Sequence, residues 1–203
     1  MTVTSPDRGA HMDTVFTEAS HARAAALIRE VLARSPVEED AGHAENTLHW
    51  LLRMEPSADA ALRMAALGHD IERAREDRLQ RHSFEDYDTF KAQHAELGAQ
   101  IADELLQSAG VEAEVRQEVA RLIRRHEVGG DPRSDLLKDA DSLSYFDHNL
   151  PLYYRREGWD ETLRRARWGY QRLSPRAREY YREITPDCAQ LKQLLAEVAA
   201  QLE

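Results

Sequence analysis

The sequence predicts an all-α fold. Apolar side chains recur three and four positions apart in nearly every segment, no segment is convincing as a strand, and proline or glycine separates the periodic stretches. The 203 residues are 42% hydrophobic and 32% charged, which suits a single globular domain with one core. We expect a disordered N-terminal tail over 1–12, the main helical domain over 13–150, and a C-terminal extension of helices over 151–203 packed on the same domain.

The first half of the chain predicts three helices. Two amphipathic stretches cover 15–33 and 42–54, and each ends just before a Pro-containing break. A third, rich in alanine, follows the second break. Ser57 is its expected N-cap, and the helix ends in His69-Asp70.

The second half begins with a charged, aperiodic loop over 73–86, which we expect to pass over whatever site the helices form. Helical periodicity then returns in three segments, and two serine- or threonine-proline pairs predict further helix starts. The predicted segments are 87–108, 112–126 and 135–147, and the predicted starts are Ser174-Pro175 and Thr185-Pro186.

Charge and composition exclude several functional classes. The formal net charge of −10 argues against non-specific binding to nucleic acid or to an anionic membrane, yet it permits a small anionic substrate held by a few arginines. The single cysteine, Cys188, excludes an intramolecular disulfide and suits a reducing compartment. Because no apolar run approaches ~18 residues and the N-terminus has no signal-peptide pattern, we expect a cytoplasmic protein.

The most informative stretch is the His69-Asp70 pair at the end of the third helix. Leu62, Ala65 and Ala66 precede His69 by seven, four and three positions, so the histidine lies on the same helical stripe as these apolar residues. Unpaired polar groups in an apolar layer cost roughly 1–3 kcal/mol each. A bound metal ion is one partner that would satisfy both side chains.

Three more histidines lie on the apolar stripes of other predicted helices, namely His43, His94 and His126, and an acidic ligand is available from Asp139 or Asp141. A single such histidine is usually a hydrogen-bonded core residue. Several on successive helices, together with a His-Asp pair, favour one shared metal site.

The order of these residues resembles the HD-domain superfamily of metal-dependent phosphohydrolases, over residues 42–149. The superfamily pattern of a histidine, a His-Asp pair and a distant aspartate falls on His43, His69, Asp70 and Asp141. The resemblance implies that these four bind a divalent metal. It also implies an HD-type helical fold and attack by a metal-activated water on a small phosphorylated metabolite such as a nucleotide.

His94 and His126 are similar to the two extra histidines of superfamily branches that hold a second metal. With two ions, Asp70 would be the bridging ligand. With one ion, His94 and His126 would bind phosphate or protonate the leaving oxygen. Arg125 stands where certain cyclic-dinucleotide phosphodiesterases carry another histidine, and the following glycine-tyrosine-proline segment is absent, which argues against that substrate.

The ligand types suit Mn²⁺, Fe²⁺, Co²⁺, Ni²⁺ or Zn²⁺, and no thiolate is available among them. Two other functions remain open on the same residues. One is an HD-type di-iron oxygenase, and the other is a non-catalytic helical module that binds a structural ion.

Other polar residues have weaker expected roles. Glu72 would either orient the attacking water or be an exposed acid at a helix end. Four side chains are predicted to bind the substrate: Arg73, Arg125, Lys138 and Tyr145. The aromatic, arginine-rich segment 153–170 would either line a pocket or form the face of a homodimer.

Overall fold

A computed structural model of the protein describes residues 15–202; the predicted tail over 1–12 lies outside them. The helices are α1 (Ala19–Leu32), α2 (Asp40–Met54), α3 (Ala60–Gly68), α4 (Tyr87–Ser108), α5 (Ala113–Arg125), α6 (Pro132–Ser144), α7 (Leu150–Arg172), α8 (Pro175–Tyr181) and α9 (Ala189–Leu202). Short 3₁₀ turns cover Ile71–Ala74 and Arg81–Ser83, and a π turn covers Tyr145–Asn149. The described residues contain no strand, so the all-α prediction is confirmed.

Helix α3 is the centre of the core. It packs against α1, α2, α5 and α6, and seven of its nine residues are buried. Its small side chains, among them Ala61, Ala65 and Ala66, let the neighbouring helices approach closely. Because α3 is surrounded in this way, a polar side chain at its C-terminal end points into the middle of the domain.

Helix starts depend on the capping residue, and two predicted starts were wrong. Asp59, not Ser57, caps α3, because its Oδ1 accepts a hydrogen bond from the Leu62 amide at 3.0 Å. Ser57 instead donates to the Glu55 carboxylate. Helix α6 starts three residues before the predicted position, because Asp131 caps it and Pro132 occupies its first turn.

The C-terminal helices also confirm one predicted start and correct another. Ser174 caps α8, with its Oγ accepting from the Ala177 amide at 3.2 Å. Thr185-Pro186 does not begin a helix. The last helix starts at Ala189, where the Lys192 amide donates to the Cys188 carbonyl.

Helix α7 changes direction at Gly158, which has a φ of +78°. Glycine adopts this left-handed conformation without the steric cost that a side chain brings. The segment after Gly158 therefore returns along α6 and the π turn, and this return places its side chains over the end of α3. None of the helices in the described part of the chain has the length and hydropathy needed to cross a membrane.

Candidate metal centre

Four imidazoles and two carboxylates converge at the C-terminal end of α3. His43 comes from α2, His94 from α4 and His126 from the end of α5. The other three residues are His69 and Asp70, which follow α3, and Asp141 on α6. All four histidines are at least 96% buried.

The six residues form two groups of three. We define the first triad as His43, His69 and Asp141, and the second triad as Asp70, His94 and His126; within each, the possible ligand atoms lie within 4.8 Å of one another. In the first triad, His43 Nε2 lies 3.2 Å from His69 Nε2 and 3.2 Å from Asp141 Oδ1. The structure therefore brings together every residue predicted to bind metal.

Asp70 lies between the two triads. Its Oδ1 is 2.9 Å from His94 Nε2 and 3.8 Å from His126 Nε2. Its Oδ2 is 3.8 Å from His69 Nε2 and 4.0 Å from His43 Nε2. One carboxylate oxygen thus faces each triad, which is the arrangement that a bridging ligand needs.

The second nitrogen of every imidazole is fixed by a partner. His69 Nδ1 donates to the Ala66 carbonyl at 2.9 Å, and His126 Nδ1 donates to the Ile123 carbonyl at 2.7 Å. His43 Nδ1 lies 2.8 Å from Ser144 Oγ, and His94 Nδ1 lies 2.7 Å from Glu72 Oε2. Such partners orient metal-binding histidines, and here they leave all four Nε2 atoms pointing inward.

The hydrogen-bond directions show that the first triad needs a positive charge. Ser144 Oγ donates to the His43 carbonyl at 3.0 Å, so the His43 Nδ1–H must donate to Ser144. His69 likewise uses its Nδ1–H on a carbonyl. Two neutral rings would then direct Nε2 lone pairs at each other across 3.2 Å. Either a proton or a metal ion resolves this repulsion, so the residues fit a cation.

In the absence of a metal, protons supply that charge. Burial lowers the pKa of His69, but Asp70 and Asp141 outweigh it and raise this pKa to about 9. Burial also opposes protonation of His94, whose pKa Asp70 and Glu72 nevertheless raise to about 10. Burial lowers the pKa of His126. The neighbouring cations hold the pKa values of Asp70 and Asp141 well below the ordinary value despite burial.

Two arginines each contact one oxygen of a central carboxylate. Arg73 Nη1 lies 2.9 Å from Asp70 Oδ2, and its Nη2 lies 3.0 Å from the fully buried carboxylate of Asp40. Arg172 Nη2 lies 3.2 Å from Asp141 Oδ2. Both guanidiniums therefore keep these carboxylates ionised and oriented. Arg73 had been predicted to bind substrate, and Arg172 had no predicted role.

Glu72 is buried, so the expectation of an exposed acid at a helix end was wrong. Its Oε2 accepts from His94 Nδ1 at 2.7 Å, and its Oε1 accepts from the Leu79 amide at 2.5 Å. Both oxygens are thus engaged in orienting His94 and in tying down the loop over 73–86. Arg78 and Leu79 of that loop line the cavity described next.

A cavity of about 310 Å³ opens onto the metal centre. Two of the four residues predicted to bind substrate, Arg73 and Tyr145, line it. Several other lining residues had no predicted individual role, among them Tyr87, Phe90, Asn149, Glu127 and Arg172. The lining also includes Arg165 and Trp168 from the aromatic, arginine-rich segment, for which lining a pocket was one of the two predicted roles.

Arg125 and Lys138 do not line the cavity, which corrects their predicted role in substrate binding. Arg125 Nε donates to the Gly129 carbonyl at 3.1 Å, and Lys138 Nζ donates to Asp135 Oδ1 at 3.2 Å. Both side chains therefore stabilise the turn between α5 and α6.

A family profile described as a domain of unknown function, DUF4202, matches residues 13–195. The chain belongs to the DUF4202 family. No curated protein and no solved structure matches it. All six residues of the metal centre of this DUF4202 chain lie within the matched range.

Proposed function

We propose that this DUF4202 chain is a metal-dependent phosphohydrolase of the HD type, acting on a small phosphorylated metabolite such as a nucleotide in the cytoplasm. The observation that carries the proposal is the pair of His/Asp triads joined by Asp70 at the end of a cavity lined with guanidinium groups. The order of the ligands along the chain, which resembles that of HD-domain phosphohydrolases, supports it further.

The nitrogen and oxygen donors fit Mn²⁺, Fe²⁺, Co²⁺, Ni²⁺ or Zn²⁺. His43, His69 and Asp141 would hold one ion, His94 and His126 would hold a second, and Asp70 would serve both. A divalent ion bound here would lower the pKa of a coordinated water and neutralise charge on a phosphoryl group.

The cations around the centre would assist the reaction of an anionic substrate. Arg172 faces the cavity and holds Asp141, so it combines positive charge next to the reacting phosphoryl group with control of a ligand carboxylate. Arg73 has the same double position beside Asp70. Both charges are fixed before substrate enters.

His94 would have a second task if the centre holds a single ion. It lies between Glu72 and Asp70, which favour its protonated form, and it lines the cavity. A protonated imidazole in this place would donate its Nε2 proton to the leaving-group oxygen. With two ions, the same Nε2 is a ligand and the proton must come from another group.

The deciding experiment combines metal analysis with turnover. Protein purified without added metal is analysed for bound elements and then assayed for phosphate release from a panel of nucleotides and phosphoesters, without oxygen, in Mn²⁺ or Co²⁺. We expect anaerobic phosphate release. Two irons per chain with substrate-dependent O₂ uptake and no phosphate release would establish the di-iron oxygenase instead, and metal binding without turnover would establish the non-catalytic module.

A further inference from the structure

The cavity has a second polar end, away from the metal centre. The helix before Gly158 and the segment after it run antiparallel, as three pairs of contacts show. Arg172 bonds to Asp141, a Cβ at Gly169 would lie 3.8 Å from Tyr145 Cδ1, and Tyr153 Oη donates to Glu161 at 3.0 Å. In this register Asn149 lies opposite Arg165.

Two stripes of side chains therefore run from the metal centre to the other end. Asp141 on α6 and Tyr145 and Asn149 in the π turn that follows are spaced four residues apart along one continuous helical segment. Arg172 and Arg165 are seven residues apart on the other. At 1.5 Å per residue, the far end lies about 10 Å along the helix axes from the metal centre.

Two polar atoms at the far end have no hydrogen-bond partner among residues 15–202. Asn149 is 9% exposed, and its Oδ1 has no hydrogen-bond partner in the described part of the protein. The buried Tyr145 hydroxyl forms no hydrogen bond of ordinary geometry there, and the Arg165 guanidinium is a donor close to it. Arg165 donates only one long hydrogen bond, 3.4 Å, to the Tyr87 hydroxyl, and within residues 15–202 no carboxylate forms an ion pair with it. We call Tyr145, Asn149 and Arg165 the far subsite.

Arg165 is held in place although no described carboxylate forms an ion pair with it. Its guanidinium stacks on the Trp168 ring, 4.4 Å from the centroid, and lies 5.8 Å from the Tyr145 ring centroid. These contacts hold the cation against the cavity wall. A partly buried guanidinium next to the Tyr145 hydroxyl offers several hydrogen-bond donors to one anionic group, and the unpartnered Asn149 Oδ1 can accept from a hydroxyl of the same ligand.

We propose that the far subsite binds a second anionic group of the substrate, a carboxylate or a second phosphate, while the phosphoryl group that reacts lies at the metal centre. The substrate class is thus a phosphorylated metabolite with a negative charge at each end. This inference rests on the proposed function, because it assumes that a phosphoryl group occupies the metal centre. Trp168 and Phe90, which also line the cavity, provide apolar contacts for the part of the molecule that joins the two ends.

Binding of alkylphosphonates tests the inference, because their carbon–phosphorus bond would survive a hydrolase. The ligands are chains of four, six and eight carbons that end in a hydroxyl, a carboxylate or a second phosphonate. Calorimetric titration of the Mn²⁺-loaded protein should show that ligands ending in a carboxylate or a second phosphonate bind more tightly than ligands ending in a hydroxyl. The comparison between carboxylate and phosphonate identifies which anion the subsite prefers.

Arg165→Gln should weaken binding of the doubly charged ligands about tenfold to hundredfold and change binding of the hydroxyl-ended ligands less than twofold. Arg164→Gln is the matched control, since its guanidinium is 69% exposed and pairs with Glu161 outside the cavity. If Arg165→Gln fails to fold, Asn149→Asp places a negative charge in the subsite and should produce the same selective loss.

Three results would each overturn the inference. The first is equal affinity for hydroxyl-ended and doubly charged ligands, and the second is an equal loss of affinity for both kinds of ligand in Arg165→Gln. The third is no binding of any ligand. A parallel turnover assay on the same Mn²⁺-loaded protein separates it from the proposed hydrolase, because preference for a charged far end is a property of binding and does not require turnover. Tighter binding of doubly charged ligands without any turnover would retain the far subsite and reject the hydrolase. Turnover without tighter binding of doubly charged ligands would retain the hydrolase and reject the far subsite.

Discussion

At the metal end of the cavity each imidazole has a hydrogen-bond partner on one nitrogen and ligand atoms around the other. At the far end, in the part of the chain that the structure describes, an amide oxygen and a hydroxyl have no hydrogen-bond partner and the guanidinium has one long hydrogen bond. The metal end is built from α2 to α6, and its negative groups would receive cations. The far end depends on α7, and its donors would receive an anion. This difference underlies our two proposals, that the metal end performs the chemistry and that the far end selects the molecule.

The largest expected effect is at the metal end. His69→Ala removes a ligand of the first triad, so we expect loss of bound metal and a fall in turnover of about three orders of magnitude or more. Elemental analysis and phosphate release measure the two losses. Helical content, followed by circular dichroism, should persist, and exposed His82→Ala is the control. Full turnover in His69→Ala would place the active site elsewhere.

A smaller effect is expected where the two triads differ. Glu72→Gln weakens the support of His94 and should reduce metal affinity at the second triad about tenfold to hundredfold, with little change at the first. Metal titration by competition with a chelating dye resolves the two sites. Exposed Glu76→Gln should leave both affinities unchanged. If Glu72→Gln weakened both sites equally, the triads would not be separable.

The pH dependence of stability should also distinguish the two ends. In chelator, the pKa values of His69 and His94 are raised to about 9 and about 10, from 6.5. Folding therefore favours their protonated forms, and this contribution is complete below about pH 6.5 and is lost as the pH rises through 9 to 10. We expect the melting temperature of the metal-free protein to fall as the pH rises from about 6.5 to about 10.

Metal-loaded protein should lack this fall, because its histidines are already deprotonated as ligands. Arg165→Gln should preserve the fall seen in chelator, and His94→Gln should reduce it. Thermal melts followed by circular dichroism from pH 6 to 10 provide the measurement. Identical slopes with and without metal would contradict the assignment of the histidines.

The smallest effect is expected outside the cavity. Arg125→Gln and Lys138→Gln should change the KM for substrate less than twofold and the free energy of unfolding by less than about 1 kcal/mol, as is typical of ion pairs near the protein surface. Kinetics and urea denaturation measure these values. A large rise in KM for either variant would restore its predicted role in substrate binding.

These corrections show what the sequence could predict. The helical stripes placed His43, His94 and His126 inward, because apolar neighbours at three- and four-residue spacing mark the buried face. The same logic fails for arginines. Arg125 and Arg172 both have charged neighbours along the chain. Only the tertiary fold shows that Arg125, at the end of α5, stabilises a turn and that Arg172 lines the cavity.

Turns were the other limit of prediction. The reversal at Gly158 brings Arg165 opposite Asn149, yet a lone glycine within a periodic segment does not predict a change of direction. The predicted start of α3 was wrong for a similar reason. Both Ser57 and Asp59 are good N-caps, and the choice between them depends on the packing of the whole helix.

The reversal at Gly158 also has an evolutionary consequence. It assembles the far subsite from positions that share no side chain with the six-residue metal centre, so substitutions at 149 and 165 can alter which molecules enter without disturbing the groups that react. Changes at Arg165 on the returning segment, or at Asn149 opposite it, would then alter the selection of the substrate while the six residues of the metal centre stay the same.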